Sequence, residues 1–145
     1  MKKKIFSSRF EERVDSLLLS SLKELRSRKK PEVAYEQTKI PYVVRKNYVP
    51  DWTIVRPDGT TLYLETKGYF DPEARAKMRL IKNQYPDLLI ALCFQQNNFI
   101  GKKSKVTYTD WAERHGFLHS VGFIPFEWLF GSKTPETLKQ KGIAI

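Results

Sequence analysis

LYLETKG, residues 62–68, sets an acid and a lysine two positions apart at the end of an apolar run. Side chains two apart on a strand point the same way. Leu62, Leu64 and Thr66 therefore share one face, and Tyr63, Glu65 and Lys67 share the other. One reading is an ion pair on a solvated sheet, typically worth well under about 1 kcal/mol. The other is half of a metal-dependent phosphodiesterase site. The seven residues do not decide between them, so the rest of the chain must.

Upstream, Pro50-Asp51 opens an extended piece, 51–55, and Arg56-Pro57-Asp58-Gly59 reads as a tight turn before a second piece, 60–66. The resulting hairpin folds Asp51 back towards Glu65, beside Lys67. Two carboxylates suit a hard divalent cation, Mg2+ or Mn2+, which takes oxygen ligands and keeps several waters. Such an ion polarises a phosphate oxygen and acidifies an attacking water. The lysine positions that water or stabilises developing charge, and the Thr66 backbone carbonyl is a candidate further ligand. Proline-aspartate, a spacer, then Glu65-Thr66-Lys67 resembles the PD-(D/E)xK nuclease signature, which is short and weak alone.

Around this hairpin the chain reads as one mixed α/β domain, residues 1–145. Phe10, Val14, Leu17, Leu18, Leu22 and Leu25 recur at helical spacing from Ser8 to about Arg26. Ser27 to Pro31 ends that helix in positive charge and a proline. Residues 32–36 and 41–44 read as short extended pieces. Asp71-Pro72 caps a second helix running to about Tyr85, with Ala74, Met78, Ile81 and Tyr85 inward. The run 88–94, LLIALCF, lacks alternation, as expected of a strand covered on both sides. A short helix spans about Thr109 to His115 and is closed by Gly116. A last helical turn begins at Pro125, and a loose polar tail follows from about residue 131.

Charge points to the partner. Lys and Arg number 26 against 16 Asp and Glu, a formal net of +10 in 145 residues. An excess of this size favours a polyanion, with nucleic acid foremost. Lys102, Lys103 and Lys105 form a basic loop that is a candidate for phosphate contact, against the ordinary reading of a solvated loop. No apolar run approaches the length of a membrane span, and the basic opening lacks the apolar core of a secretory signal. Cys93, the sole cysteine, sits inside the apolar run and fits a buried thiol in a reducing, cytoplasmic setting. His115 and His119 stand too far from any acid or cysteine cluster to suggest zinc. Trp52, Trp111 and Trp128 read as core or interface aromatics.

A third acid is available on the first helix. Glu11 lies in line with Val14, Leu18 and Leu22, at the edge of the apolar stripe. Ser8-Arg9-Phe10-Glu11 also reads as a capping box, in which Glu11 only bonds the Ser8 amide. Both readings stand on the residues alone.

The segments SRFEERV (8–14), KIPYVV (39–44), YVPDW (48–52), LETKG (64–68), QYPDL (84–88), ERHG (113–116) and IPFEWL (124–129) together resemble, in this order, the phage endonuclease I family. These are the Holliday-junction resolvases of T-odd phages, and the likeness runs from about residue 7 to 130. The resemblance implies a PD-(D/E)xK, restriction-endonuclease-like core with a mixed central sheet flanked by helices. It implies a strand-swapped homodimer, with the bridge near 44–49. It places catalytic roles on Glu11, Asp51, Glu65 and Lys67, with Glu11 supplied by one chain and the other three by its partner. It implies two Mg2+ or Mn2+ ions per active site, held by Asp51, Glu65, the Thr66 carbonyl and Glu11. The substrate implied is branched double-stranded DNA, cut to a 5′-phosphate and a 3′-hydroxyl. Three features depart from the family's pattern: the arm before the first helix and the bridge are shorter, and the hairpin between Asp51 and Glu65 is longer. A related nuclease cutting linear duplex and a non-catalytic basic DNA-binding module are the alternative readings.

Overall fold

The computed structural model describes residues 3–145; the first two residues of the basic opening lie outside it. Two compact units divide the chain, Met1–Arg45 and Lys46–Ile145. The boundary falls inside the 44–49 segment.

In the first unit α1 spans Arg9–Glu24, with Ser8 as N-cap in an extended conformation. The Glu11 amide donates to the Ser8 hydroxyl at 3.2 Å, satisfying one of the orphan donors of the first turn. No residue of α1 is buried. The pieces expected to be extended strands, 32–36 and 41–44, form none. A strand persists through its ladder, and neither piece has a partner strand among the described residues. Glu36 breaks the first outright, with a φ of 48°.

In the second unit β1 (Trp52–Val55) and β2 (Thr61–Lys67) form the expected hairpin, Trp52 facing Leu64 and Val55 facing Thr61. From β2 the chain enters α2 (Pro72–Gln84), capped by the Asp71 side chain on the Ala74 amide at 2.7 Å. It then returns as β3 (Leu89–Phe94), parallel to β2. After α3 (Tyr108–Arg114), closed by Gly116 at φ 76°, comes a strand that the sequence does not announce, β4 (Leu118–Val121). It lies parallel to β3, which makes a four-stranded mixed sheet in the order β1-β2-β3-β4.

Both faces of this sheet are covered, which is why β3 is apolar throughout. Ile90, Leu92 and Phe94 join Phe70, Met78, Tyr108, Trp111, Ala112 and Phe117 beneath α2 and α3. Leu62, Leu64, Ala91 and Cys93 pack with Trp128 on the opposite face. One expected inward residue points elsewhere, Tyr85, 59% exposed, and of the core or interface tryptophans Trp52 is 54% exposed and so outside the core. Tyr85 sits past the last turn of α2 as its C-cap, and Trp52 belongs to the edge strand.

The tail corrects the expectation of a loose end. The chain runs through α4 (Phe126–Phe130), and β6 (Gly142–Ala144) pairs antiparallel with β5 (Phe123–Pro125). The Asp58 carboxylate in the β1–β2 turn accepts from the Thr60 amide and hydroxyl and, at 2.8 Å, from the Ser132 amide. The Thr60 hydroxyl foremost, then the Ser132 and Thr60 amides, hold its carboxyl well below the usual carboxylate range. Neighbouring Gly131 has a φ of 60° and a ψ of −135°, a region costly for other residues. A Cβ there would also strike the Asp58 carboxylate. Gly131→Ala should therefore lower stability by about 2 kcal/mol or more, a fall in Tm of roughly 8 °C or more for a unit of this size, read by thermal melting.

Candidate active site

Lys67 ends β2, and at the carboxyl edge of parallel strands open sheets offer a crevice to ligands. Glu65 lies one pleat back on the face roofed by α2 and α3, and only 4% of it is exposed. That burial argues against a solvated ion pair. Lys67 does meet Glu65, Nζ to Oε1 at 3.1 Å, but the carboxylate is desolvated while the lysine side chain keeps 23% of its exposure. Placing a charge where water is excluded costs several kcal/mol before pairing. Such an acid is uneconomical as a structural device.

The second oxygen of Glu65 is also held. Tyr48 donates its phenol proton to Oε2 at 2.8 Å. Burial foremost, then this hydrogen bond to a carboxylate, pushes the Tyr48 phenol well above its ordinary range. Sequence reasoning does not single out Tyr48. The available signal is its position, two residues ahead of Pro50 in the strand approach to the site.

Asp51 is anchored by the strand opposite. Its Oδ2 accepts from the Thr66 amide at 2.8 Å and the Thr66 hydroxyl at 3.0 Å. Continuing the β1–β2 register by one step sets Asp51 across from Glu65, and directly opposite residues bring their Cβ atoms within about 5.5 Å. Oδ1 of Asp51 has no hydrogen-bond partner among the described residues. Three of the four expected residues are thus brought together by one hairpin: Asp51, Glu65 and Lys67, with Thr66 between them. The donor set fits a cation that keeps most of its waters, namely two carboxylates and backbone oxygen. It does not form a closed cage. No cluster of three or more His, Cys, Asp or Glu suited to a metal occurs among the described residues.

Glu11 belongs to the first unit. Its Oε2 accepts from the Ser7 hydroxyl at 2.6 Å, the Ser7 amide at 2.9 Å and the Tyr35 phenol at 2.8 Å. These donors, the Ser7 hydroxyl first and Tyr35 next, hold its carboxyl below the ordinary value. The capping-box expectation is half met: Ser8 caps the Glu11 amide, but the glutamate bonds Ser7 rather than Ser8. All three donors converge on Oε2. Among the described residues Oε1 accepts none, so capping and a ligand role need not compete for one oxygen.

The basic loop is held by its own backbone. Phe99 bridges Thr107, the Ile100 amide donates to Val106 at 2.9 Å, and the Ser104 amide donates to Gly101 at 3.1 Å. This small hairpin presents Lys102, Lys103 and Lys105, all exposed. The histidines serve elsewhere: His119 meets Glu113 at 2.8 Å, and His115 packs edge-on against Trp111. Burial, then Arg79 and Arg114, lowers the pKa of His115.

Comparison with known proteins identifies the family. The family described as Phage endonuclease I matches residues 1–142. The chain is 34% identical over 115 residues to Endonuclease I of Escherichia phage T7, covering 74% of each protein. It is 37% identical over 106 residues to Endodeoxyribonuclease 1 of Enterobacteria phage T3, covering 70% of this chain and 65% of the relative.

Proposed function

Because the chain belongs to the phage endonuclease I family, we propose that it is a metal-dependent endodeoxyribonuclease that resolves four-way junctions and branched DNA. The observation that carries this reading is Glu65, a carboxylate buried beside a half-buried lysine and set across from the anchored Asp51. A bound Mg2+ or Mn2+ would polarise the scissile phosphate and acidify the attacking water. Asp51, Glu65 and the Thr66 carbonyl would hold it. Thr66 fixes Asp51 through two hydrogen bonds, so that Oδ1 is the oxygen left to face a ligand. The Lys67 ammonium, partly desolvated at the strand end, meets the developing negative charge. Cleavage leaves a 5′-phosphate and a 3′-hydroxyl.

The proposed assembly is a homodimer with strands exchanged near 44–49. The apolar stripe of α1 supports it: Phe10, Val14, Leu17 and Leu18 are all exposed in the single chain, whereas an amphipathic helix ordinarily buries that face. Ile40, Tyr42, Val43, Val44 and Val49 are exposed too, beside two pieces whose expected ladders lack a partner strand. A second copy would supply both.

The direct test is a labelled four-way junction and a duplex of equal length, each incubated with and without magnesium. Junction cleavage that needs the metal, with the duplex left intact, is the expected result. Equal cutting of the duplex would favour a linear-duplex nuclease, and no cutting would leave only a binding module.

Binding itself should be strongly salt-dependent, because lysines and arginines displace condensed counterions. Replacing Lys102, Lys103 and Lys105 together by alanine should reduce the slope of log affinity against log salt by about 0.9 for every phosphate that is no longer neutralised. An unchanged slope in a gel-shift titration would return the hairpin to the role of a solvated loop.

A further inference from the structure

We propose that Tyr48 is a positioning residue of the cleavage site, its phenol holding the Glu65 carboxylate in the orientation that serves a divalent cation. This rests on the reading of Glu65 as a metal ligand. Glu65 is pinned at both oxygens, by Lys67 on Oε1 at 3.1 Å and by Tyr48 on Oε2 at 2.8 Å. A carboxylate oxygen carries two acceptor sites, so one hydrogen bond to each leaves a lone pair on each for a ligand. What the two bonds remove is rotation. A carboxylate free to turn would present its oxygens to a cation only part of the time.

The phenol is suited to this task. Its ring is part-buried against the cluster beneath α2 and α3, which fixes where the hydroxyl ends. The Lys77 ammonium stands 5.5 Å from the ring centroid, within cation–π range, and adds to what holds the ring in place. A water molecule could satisfy Glu65 equally well but could not hold its direction. Outer partners that orient a ligating carboxylate typically govern metal affinity by 10- to 100-fold on mutation. A purely structural phenol, present only to satisfy a buried acid, would instead govern stability.

Calorimetric titration of DNA-free protein with Mn2+ separates the two. Tyr48→Phe keeps the ring and removes only the hydroxyl. Its Mn2+ affinity should fall roughly 10- to 100-fold with Tm changed by no more than a few degrees. Its cleavage should fail at low metal and recover its kcat at high metal. Glu65→Gln is the control. If wild type and Glu65→Gln bind Mn2+ alike, the metal-ligand reading itself fails. If Glu65→Gln loses binding while Tyr48→Phe binds as wild type does, the positioning role is overturned. Should Tyr48→Phe melt early, the titration is repeated well below its transition, where the variant is folded: the same roughly 10- to 100-fold loss is expected there, and wild-type affinity in the folded variant overturns the proposal.

Discussion

Glu65→Gln should reduce junction cleavage by roughly 10^3-fold or more, leave junction affinity nearly unchanged, and not lower the melting temperature. The three outcomes follow from one buried carboxylate. Loss of a charged ligand removes electrostatic stabilisation on the order of 4 kcal/mol from the transition state, and each 1.36 kcal/mol is tenfold in rate. Affinity comes mainly from basic side chains meeting phosphates, and Glu65 contributes none of that. Stability should hold or rise, because the amide keeps an acceptor for Tyr48 and no charge need be desolvated at 4% exposure. Lys67, left without its partner, still reaches solvent. Asp51→Asn should lose cleavage similarly. Single-turnover cleavage, gel-shift affinity and thermal melting on the same preparation test all three outcomes. Cleavage near the wild-type rate would remove Glu65 from the site. A parallel loss of affinity and Tm would make β2 a structural strand and nothing more.

The reason three residues of the candidate site are legible in sequence is that a single local hairpin brings them together. Arg56-Pro57-Asp58-Gly59 determines the turn, the turn determines the register, and the register sets Asp51 against Glu65. The parallel core is legible for a similar reason: Asp71-Pro72 starts α2, and LLIALCF carries no polar face. What escapes depends on neighbours distant in sequence. The three-residue strands β5 and β6 exist only because Phe123 meets Ala144 and Pro125 meets Gly142, and no periodicity can be read in three residues. The Asp58–Ser132 bond spans 74 positions. Leu118–Val121 shows no alternation and becomes a strand because β3 offers a free parallel edge. Conversely, residues 32–36 and 41–44 have the composition of strands and lack a ladder in this chain. Strand propensity describes a surface that fits a neighbour, so it cannot say which chain supplies that neighbour.

That ambiguity has a decisive test, because an exchanged dimer and an unexchanged one distribute lesions differently. Glu11→Ala and Lys67→Ala proteins should each be inactive as homodimers, the first through loss of the first-unit acid and the second through loss of the ammonium beside Glu65. Co-refolded from differently tagged chains, they yield a heterodimer that can be purified on both tags. If Glu11 of one chain completes the site holding Asp51, Glu65 and Lys67 of the other, both lesions fall in the same site. The remaining site is then intact, and the heterodimer should nick one strand of a junction at roughly half the wild-type initial rate. On a supercoiled plasmid bearing an extruded cruciform, nicked circles should accumulate where wild type makes linear DNA. In an unexchanged dimer each site carries one lesion, and no product should form. The background is clean because both parents are dead, so the result reads out connectivity and not the catalytic weight of either residue. The exchanged assembly also predicts dimers that persist on dilution, since Phe10, Leu17 and Leu18 of α1 and Ile40, Tyr42, Val43, Val44 and Val49 are exposed in a lone chain, as obligate interfaces are. A monomer in sedimentation at micromolar concentration, or a silent heterodimer, would leave the buried Glu65 site standing and remove the mechanism by which two cuts are paired across one junction.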